Sequence, residues 1–245
     1  MKRRFKALYV VLSSLAIAII NIPFAIAKSA TGHKVFYQPE NSTARTLSAT
    51  TILRSAYDSL SLNLKGLSRD AYEYAKKGFN MMLEQGKILN DSIISIVDFS
   101  QPSSQKRLYV LDLKNYKVLF NTLVAHGRNS GREFASQFSN DNSSFMSSPG
   151  FYITRETYEG HNGYSLKLEG IERGINDHAY DRGIVVHGAP YVSDDVVHMQ
   201  GYAGRSQGCP AVPVNTSKPL INTIKDGTCF FIYSPGYVNK SEILN

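Results

Sequence analysis

The sequence predicts an α+β protein, mainly β, in which a pair of helices precedes a strand-rich domain. Three observations point there. Apolar residues recur at helical spacing between residues 52 and 83. From residue 92 onward the apolar period changes to two. The period-two runs are separated by stretches rich in Gly, Asn, Ser and Pro. The length suits one packed domain: 245 residues, 42% hydrophobic and 19% charged. Fifteen Tyr and twelve Phe supply the aromatic bulk that the absent Trp does not.

Residues 1–27 read as a secretory signal. Met1 to Lys6 is basic, Ala7 to Ile20 is apolar, and Ala25-Ile26-Ala27 is a small-x-small cleavage site. The mature chain then begins near Lys28, with no stable membrane insertion after cleavage. An uncleaved anchor is the competing reading, since the run nearly reaches the ~20 residues a bilayer needs. The signal carries four basic residues and no acidic one. Removing them leaves 23 basic against 20 acidic residues, a net charge of +3. So mild an excess does not point to nucleic acid as a partner.

Residues 28–45 are polar and irregular, a lead-in. Residues 46–90 hold the helical pair. Ile52, Leu53, Ala56, Tyr57 and Leu60 line one face of the first helix. Ser68 is the N-cap of the second, and Asp70 suits the positive end of its dipole. Ala71, Tyr72, Ala75, Phe79, Met82 and Leu83 form its apolar stripe, and Gly86 ends it. These aromatics and methionines read as core packing.

Residues 91–245 hold the strands. Ser92–Phe99, Arg107–Leu113 and Lys117–Val124 alternate, and Lys114-Asn115-Tyr116 joins the last two as a hairpin. His126 to Ser148 is a long polar loop, of a length that is often functional. Pro149–Thr157 and Tyr164–Ile171 are further strands. Ile184-Val185-Val186 is a short buried strand that runs into His187-Gly188. Ser217–Lys225 reads as a short helix, and Gly227–Ser234 as the last strand.

The chemistry centres on GRSQGCPAVP, Gly204 to Pro213. Cys209 lies in this tight loop, and the only other cysteine is Cys229. An exported chain with two cysteines admits a disulfide. A buried small residue and a nucleophile are the other readings of Cys209. A thiol nucleophile needs a base and backbone donors for an oxyanion. Of six histidines, His187 differs by ending an apolar strand ahead of a glycine. His126, His161, His178 and His198 fall in polar loops, and His33 in the lead-in. Gly208 permits close backbone approach, so the amides of Gly208 and Cys209 are the candidate oxyanion donors.

These residues carry a resemblance. His187-Gly188-Ala189-Pro190 followed by Ser206-Gln207-Gly208-Cys209, with eighteen residues between His187 and Ser206, resembles the HG…S-x-G-C signature of the murein L,D-transpeptidases. Ser147-Ser148-Pro149-Gly150-Phe151 is similar to that family's T-P-x-G-x-F strand. Val124 to Gly131, Gly163 to Leu166 and Gly227-Thr228 resemble a divergent S-x-G-C-P-A branch of it. The likeness runs from about Thr51 to Tyr233.

The resemblance implies a β-sandwich catalytic domain of the YkuD type, acting on peptidoglycan stem peptides in the periplasm or cell envelope of a bacterium. It implies Cys209 as nucleophile, His187 as general base, the Gly188 carbonyl as its orienting partner, and Ser206 and Gly208 as shapers of the loop. It implies acyl transfer: attack at stem residue three, release of D-alanine, and passage of the thioester to an amine or to water. No metal or cofactor is implied. The chain departs from the common motif at Gln207, where histidine is usual, and at Ala211, where arginine is usual. Arg205, Arg128 and Arg132 are candidates to meet substrate carboxylates in its place, with Gln207 beside them.

Competing classes are weaker. NlpC/P60 peptidases place cysteine before histidine. Sortases need an arginine after the cysteine, and none follows Cys209. A zinc peptidase built on His161, His178, His187 and His198 lacks H-E-x-x-H or any tight ligand spacing. A disulfide is disfavoured because Cys229 lies in an apolar strand. A catalytically quiet wall-binding or interaction module on the same fold is the main alternative.

Overall fold

The computed structural model describes residues 56–245. The signal segment, the lead-in, and Ile52 and Leu53 of the first helical stripe lie outside the described residues. From residue 56 the helical expectation meets its structure. Residues 56–59 are helical and Asn63–Lys65 form a 3₁₀ turn. Ala56, Tyr57 and Leu60 are buried.

Helix α1 spans Arg69–Glu84. Its cap is the expected one: the Ala71 amide donates to Ser68 Oγ at 3.2 Å. The Ser68 amide is itself taken by Asp98 at 3.0 Å, which ties the helix start to the sheet. Ala71, Tyr72, Ala75, Phe79 and Met82 are buried, and Leu83 packs at their border. Gly78 interrupts the helix at a propensity cost of about 1 kcal/mol against Ala. The reason is packing: a Cβ there would lie 2.0 Å from the Phe151 ring. The missing side chain lets that ring lie on the helix.

Eight strands form one sheet. They are β1 Ile93–Asp98, β2 Leu108–Asp112, β3 Lys117–Thr122, β4 Gly150–Gly160, β5 Gly163–Gly170, β6 Val185–Gly188, β7 Ala211–Val212 and β8 Cys229–Tyr233. Their order is β3-β2-β1-β8-β4-β5-β6-β7. Pairing is antiparallel except for β1 with β8 and β6 with β7. The two ends of this order meet. The Ala125 amide, just past β3, donates to the Ala211 carbonyl of β7 at 2.8 Å. Gly127 and Ser206 form a parallel bridge beyond it. The sheet therefore curls until its two ends lie side by side and enclose the inner core.

Alternation sorts the side chains between two cores. Ile94 and Ile96, Tyr109 and Leu111, Phe151 and Ile153, and Cys229, Phe231 and Tyr233 face α1. Val97, Leu108 and Val110, Tyr152, Leu166 and Leu168, Val186, and Phe230 and Ile232 face the inside of the curl. Helix α3, Val214–Ile224, fills that inner core with Leu220, Ile221 and Ile224. It begins three residues before the expected Ser217, because Pro213 serves as its N-cap. Each such side chain, fully buried, contributes roughly 1.5–3 kcal/mol.

Two elements depart from the sequence reading. Residues Asp194–Gln200 form helix α2, capped by Ser193 Oγ and closed by Gly201 in the left-handed region. His198 is therefore on a helix and not in a loop. Ala211–Val212 form β7, which is too short for a period to show.

Candidate active site

The Cys209 loop joins α2 to β7, and β7 pairs with β6 so that His187 lies opposite Ala211. That register sets the imidazole two residues from the thiol across a parallel pair. The loop is held by its own serine. Ser206 Oγ donates to the Cys209 carbonyl at 2.6 Å and accepts from the Gly208 amide at 3.0 Å. Backbone bonds fix the serine in turn. Its amide donates to the His126 carbonyl at 2.9 Å, and its carbonyl accepts from the Arg128 amide at 2.8 Å. Ser147 Oγ donates to the Gly208 carbonyl at 3.0 Å from the long loop.

Gly208 has φ +124°, and a Cβ there would lie 2.8 Å from the Met146 carbonyl oxygen. Only glycine fits that conformation and that approach. The expected pair of oxyanion donors is reduced to one, however. The Gly208 amide is occupied by Ser206 Oγ. The Cys209 amide has no partner among the described residues.

His187 is 4% exposed. Its Nδ1 lies 3.0 Å from the Gly188 carbonyl oxygen. A carbonyl only accepts, so Nδ1 carries the hydrogen and the lone pair sits on Nε2. Burial lowers the His187 pKa, and the bond to Gly188 opposes this. Burial raises the Cys209 pKa, offset in part by the Val185 amide and the Arg182 charge. The Cys209 Sγ lies 3.8 Å from the Gly183 carbonyl oxygen, which takes its hydrogen. Both shifts favour a neutral thiol beside a neutral imidazole at rest.

One cavity of about 560 Å³ gathers most of the expected residues: Cys209, His187, Ser206, Gln207, Arg128 and Arg205. Gly188 adjoins it as the His187 acceptor, and Gly208 backs the loop. Arg132 is not brought in; its guanidinium lies 5.0 Å from the Tyr202 ring centroid, outside the lining. Phe145, Arg182 and Tyr191 are among the lining residues that the sequence reading did not assign to the site, and His161, read as a polar-loop histidine, lines it too. Arg182 stands three residues ahead of Val185, the start of β6, and that position was its only signal.

The long loop forms a wall of this cavity and is held by two arginines. Arg182 donates to the Ser139 and Met146 carbonyls and to the hydroxyls of Ser144 and Ser148, all within 2.7–3.1 Å. Arg107 is fully buried with no carboxylate bound to it. It donates to the Val124 and Gln101 carbonyls and lies 2.7 Å from His126 Nδ1. A guanidinium can only donate, so that Nδ1 accepts and the imidazole is neutral. Burial and the Arg107 charge push the His126 pKa down to about 4. His126 Nε2 then donates to the Gly131 carbonyl at 3.2 Å. His126 is thus a buried structural residue in a segment that reads as polar.

Both cysteines are free. Cys209 packs against the inner core and Cys229 belongs to the core under α1. Cys229 Sγ lies 3.7 Å from Met82 Sδ, fully buried, and burial raises its pKa. Among the described residues, no group of three or more His, Cys, Asp or Glu is placed to hold a metal ion. No helix among them is long and apolar enough to cross a membrane.

No curated protein matches the chain. Solved structures of low identity do. An L,D-transpeptidase from Mycobacterium smegmatis is 13% identical, with a TM-score of 0.38 over 58% of this chain and 59% of that one. An L,D-transpeptidase from Mycobacterium tuberculosis is 13% identical, with a TM-score of 0.35 over 58% of each chain. A helical cell shape determining protein from Campylobacter jejuni is 13% identical, with a TM-score of 0.41 over 69% of this chain and 57% of that one. The chain thus spans a little under three fifths of the length of these structures. The family model described as the L,D-transpeptidase catalytic domain matches residues 63–233, from the first 3₁₀ turn to the end of β8. That match covers well over half of the sequence, and the chain belongs to the L,D-transpeptidase catalytic domain family.

Proposed function

We propose that this protein is an exported cysteine acyltransferase that remodels peptidoglycan stem peptides, with Cys209 as nucleophile and His187 as general base. The observation that carries this is the His187 tautomer. The Gly188 carbonyl holds the hydrogen on Nδ1, which leaves a basic Nε2 in the cavity that Cys209 lines. The resting pair is neutral, so the proton moves as the bond forms.

The steps follow. Nε2 takes the thiol proton as Sγ attacks the carbonyl carbon of stem residue three. The oxyanion is met by the free Cys209 amide. Collapse breaks the peptide bond, and the leaving D-alanine amine takes the proton back from the imidazolium. A thioester remains. An amine of a second stem, or water, then gives up a proton to Nε2 and attacks the thioester carbonyl. Sγ leaves and is reprotonated from the imidazolium. The products are a 3→3 cross-link or a shortened tripeptide stem. Ser206 and Gly208 keep the loop in shape for both halves. Export rests on the signal read in residues 1–27.

The test is incubation with a purified disaccharide-tetrapeptide followed by mass spectrometry. Cross-linked dimer or tripeptide is expected, with an acyl adduct on Cys209. Cys209→Ala should abolish both products with folding intact, and His187→Ala should slow them by roughly 10²–10⁴-fold. No product from this substrate or from whole sacculi would favour the quiet wall-binding module.

A further inference from the structure

Three arginines line the Cys209 cavity, and no Asp or Glu lines it. Among the described residues none of the three forms an ion pair. Their hydrogen-bonding capacity differs. Arg182 is consumed, since both of its terminal nitrogens are bound to the long loop. Arg128 is not. Its guanidinium carbon lies over the Phe145 ring, 3.9 Å from the centroid, and the group donates to no partner among the described residues. Arg205 is barely engaged. Only Nη1 is used, in two long bonds of 3.3 Å to the Arg128 and Gly131 carbonyls. The cavity thus presents two guanidinium groups with unused donors, held at one wall by a ring and by backbone.

We infer that Arg128 and Arg205 form an anion subsite that selects acyl donors bearing a free carboxylate beside the scissile bond. The inference rests on reading the cavity as the acyl-donor site. The fork of a guanidinium matches a carboxylate, and unpaired positive charge in a partly enclosed cavity attracts one. A donor stem offers two such groups. One is the side-chain carboxylate of a diamino-diacid at residue three, and the other is the terminal carboxylate of residue four. Replacing the one that is read by its amide removes the charge and keeps the shape.

The test uses the full chain and three donors: the free-acid disaccharide-tetrapeptide, the same molecule amidated on residue three, and the same molecule amidated at its C-terminus. Two quantities are read for each. One is turnover, and the other is the donor concentration that protects Cys209 from iodoacetamide. We expect the free acid to exceed one of the two amides roughly ten- to hundredfold in both. Which amide suffers identifies the carboxylate that is read. Arg128→Gln or Arg205→Gln should bring that ratio toward one, while Arg182→Gln should weaken all three donors alike. Equal protection by all three donors in the wild type overturns the inference, as does a ratio that survives both single substitutions and the double. Discriminating protection without turnover leaves the subsite standing and overturns the enzymatic reading instead.

Discussion

Gly208→Ala tests whether the nucleophile loop is built on one backbone conformation. Two penalties can be worked out. A non-glycine residue at φ +124° is strained by about 1–3 kcal/mol. The new Cβ would also lie 2.8 Å from the Met146 carbonyl oxygen and 3.2 Å from Ile184 Cδ1. The Met146 oxygen cannot easily retreat, because Arg182 Nη2 holds it at 2.8 Å. Overpacking of this kind costs about 1–3 kcal/mol more. If the fold absorbs both, stability falls by roughly 2–6 kcal/mol, and the melting temperature by roughly 4–24 °C for a domain of this size. If the loop swings away instead, it gives up the Ser147 bond to the Gly208 carbonyl and carries Cys209 with it. Melting then drops less, and thioester formation collapses. Calorimetry and intact-mass measurement of the acyl adduct distinguish the two. An alanine variant that melts and acylates like the wild type would refute the argument.

Two further outcomes follow from the buried titrating groups. His126 falls from 6.5 to about 4 in the folded chain, and His187 is also lowered. Between those values the unfolded chain binds protons that the folded chain refuses, so stability is lost as pH drops from 6.5 toward 4. The His126 shift alone corresponds to roughly 3 kcal/mol. A urea midpoint that stays flat across that window would contradict this. Cys209 should be alkylated in the native protein and Cys229 only after unfolding, since one lines the cavity and the other is sealed under α1. The Cys209 rate should keep rising through the ordinary thiol range, because burial raises its pKa. A plateau near neutral pH would mean a preformed thiolate.

The fold was legible wherever one residue carried one local cause. Ser68 caps α1 through its hydroxyl, and Gly86 beyond the end of α1 has φ +65°. Alternation in β1, β2 and β8 survives because the sheet has a core on each face. Elements fixed by partners were harder to see. Strand β7 has two residues and exists because β6 pairs with it. Helix α2 did leave a signal in Ser193, the two aspartates after it and Gly201. It was hidden because its interior is too polar and too short to show a period.

The site divides along the same line. Cys209, His187, Gly188, Ser206 and Gly208 are close in sequence or joined by one register, and a motif can name them. Arg182 and Phe145 act across the cavity from the motif, in segments whose composition says only loop. Their place depends on the curl that brings the Gly127 segment against Ser206. That curl is a property of the whole ladder. Arg132 shows the converse: it is four residues from Arg128 with the same charge, yet it faces Tyr202 outside the cavity. Charge in the sequence marks which groups are available, and the closure of the sheet decides which of them meet the thiol. Swapping the positions therefore discriminates better than removing charge. Arg128→Gln with Gln207→Arg restores positive charge to the cavity lining, and recovery of free-acid preference is expected if the lining position is what counts. Arg128→Gln with Glu133→Arg adds the charge beside Arg132, outside the lining, and no recovery is expected.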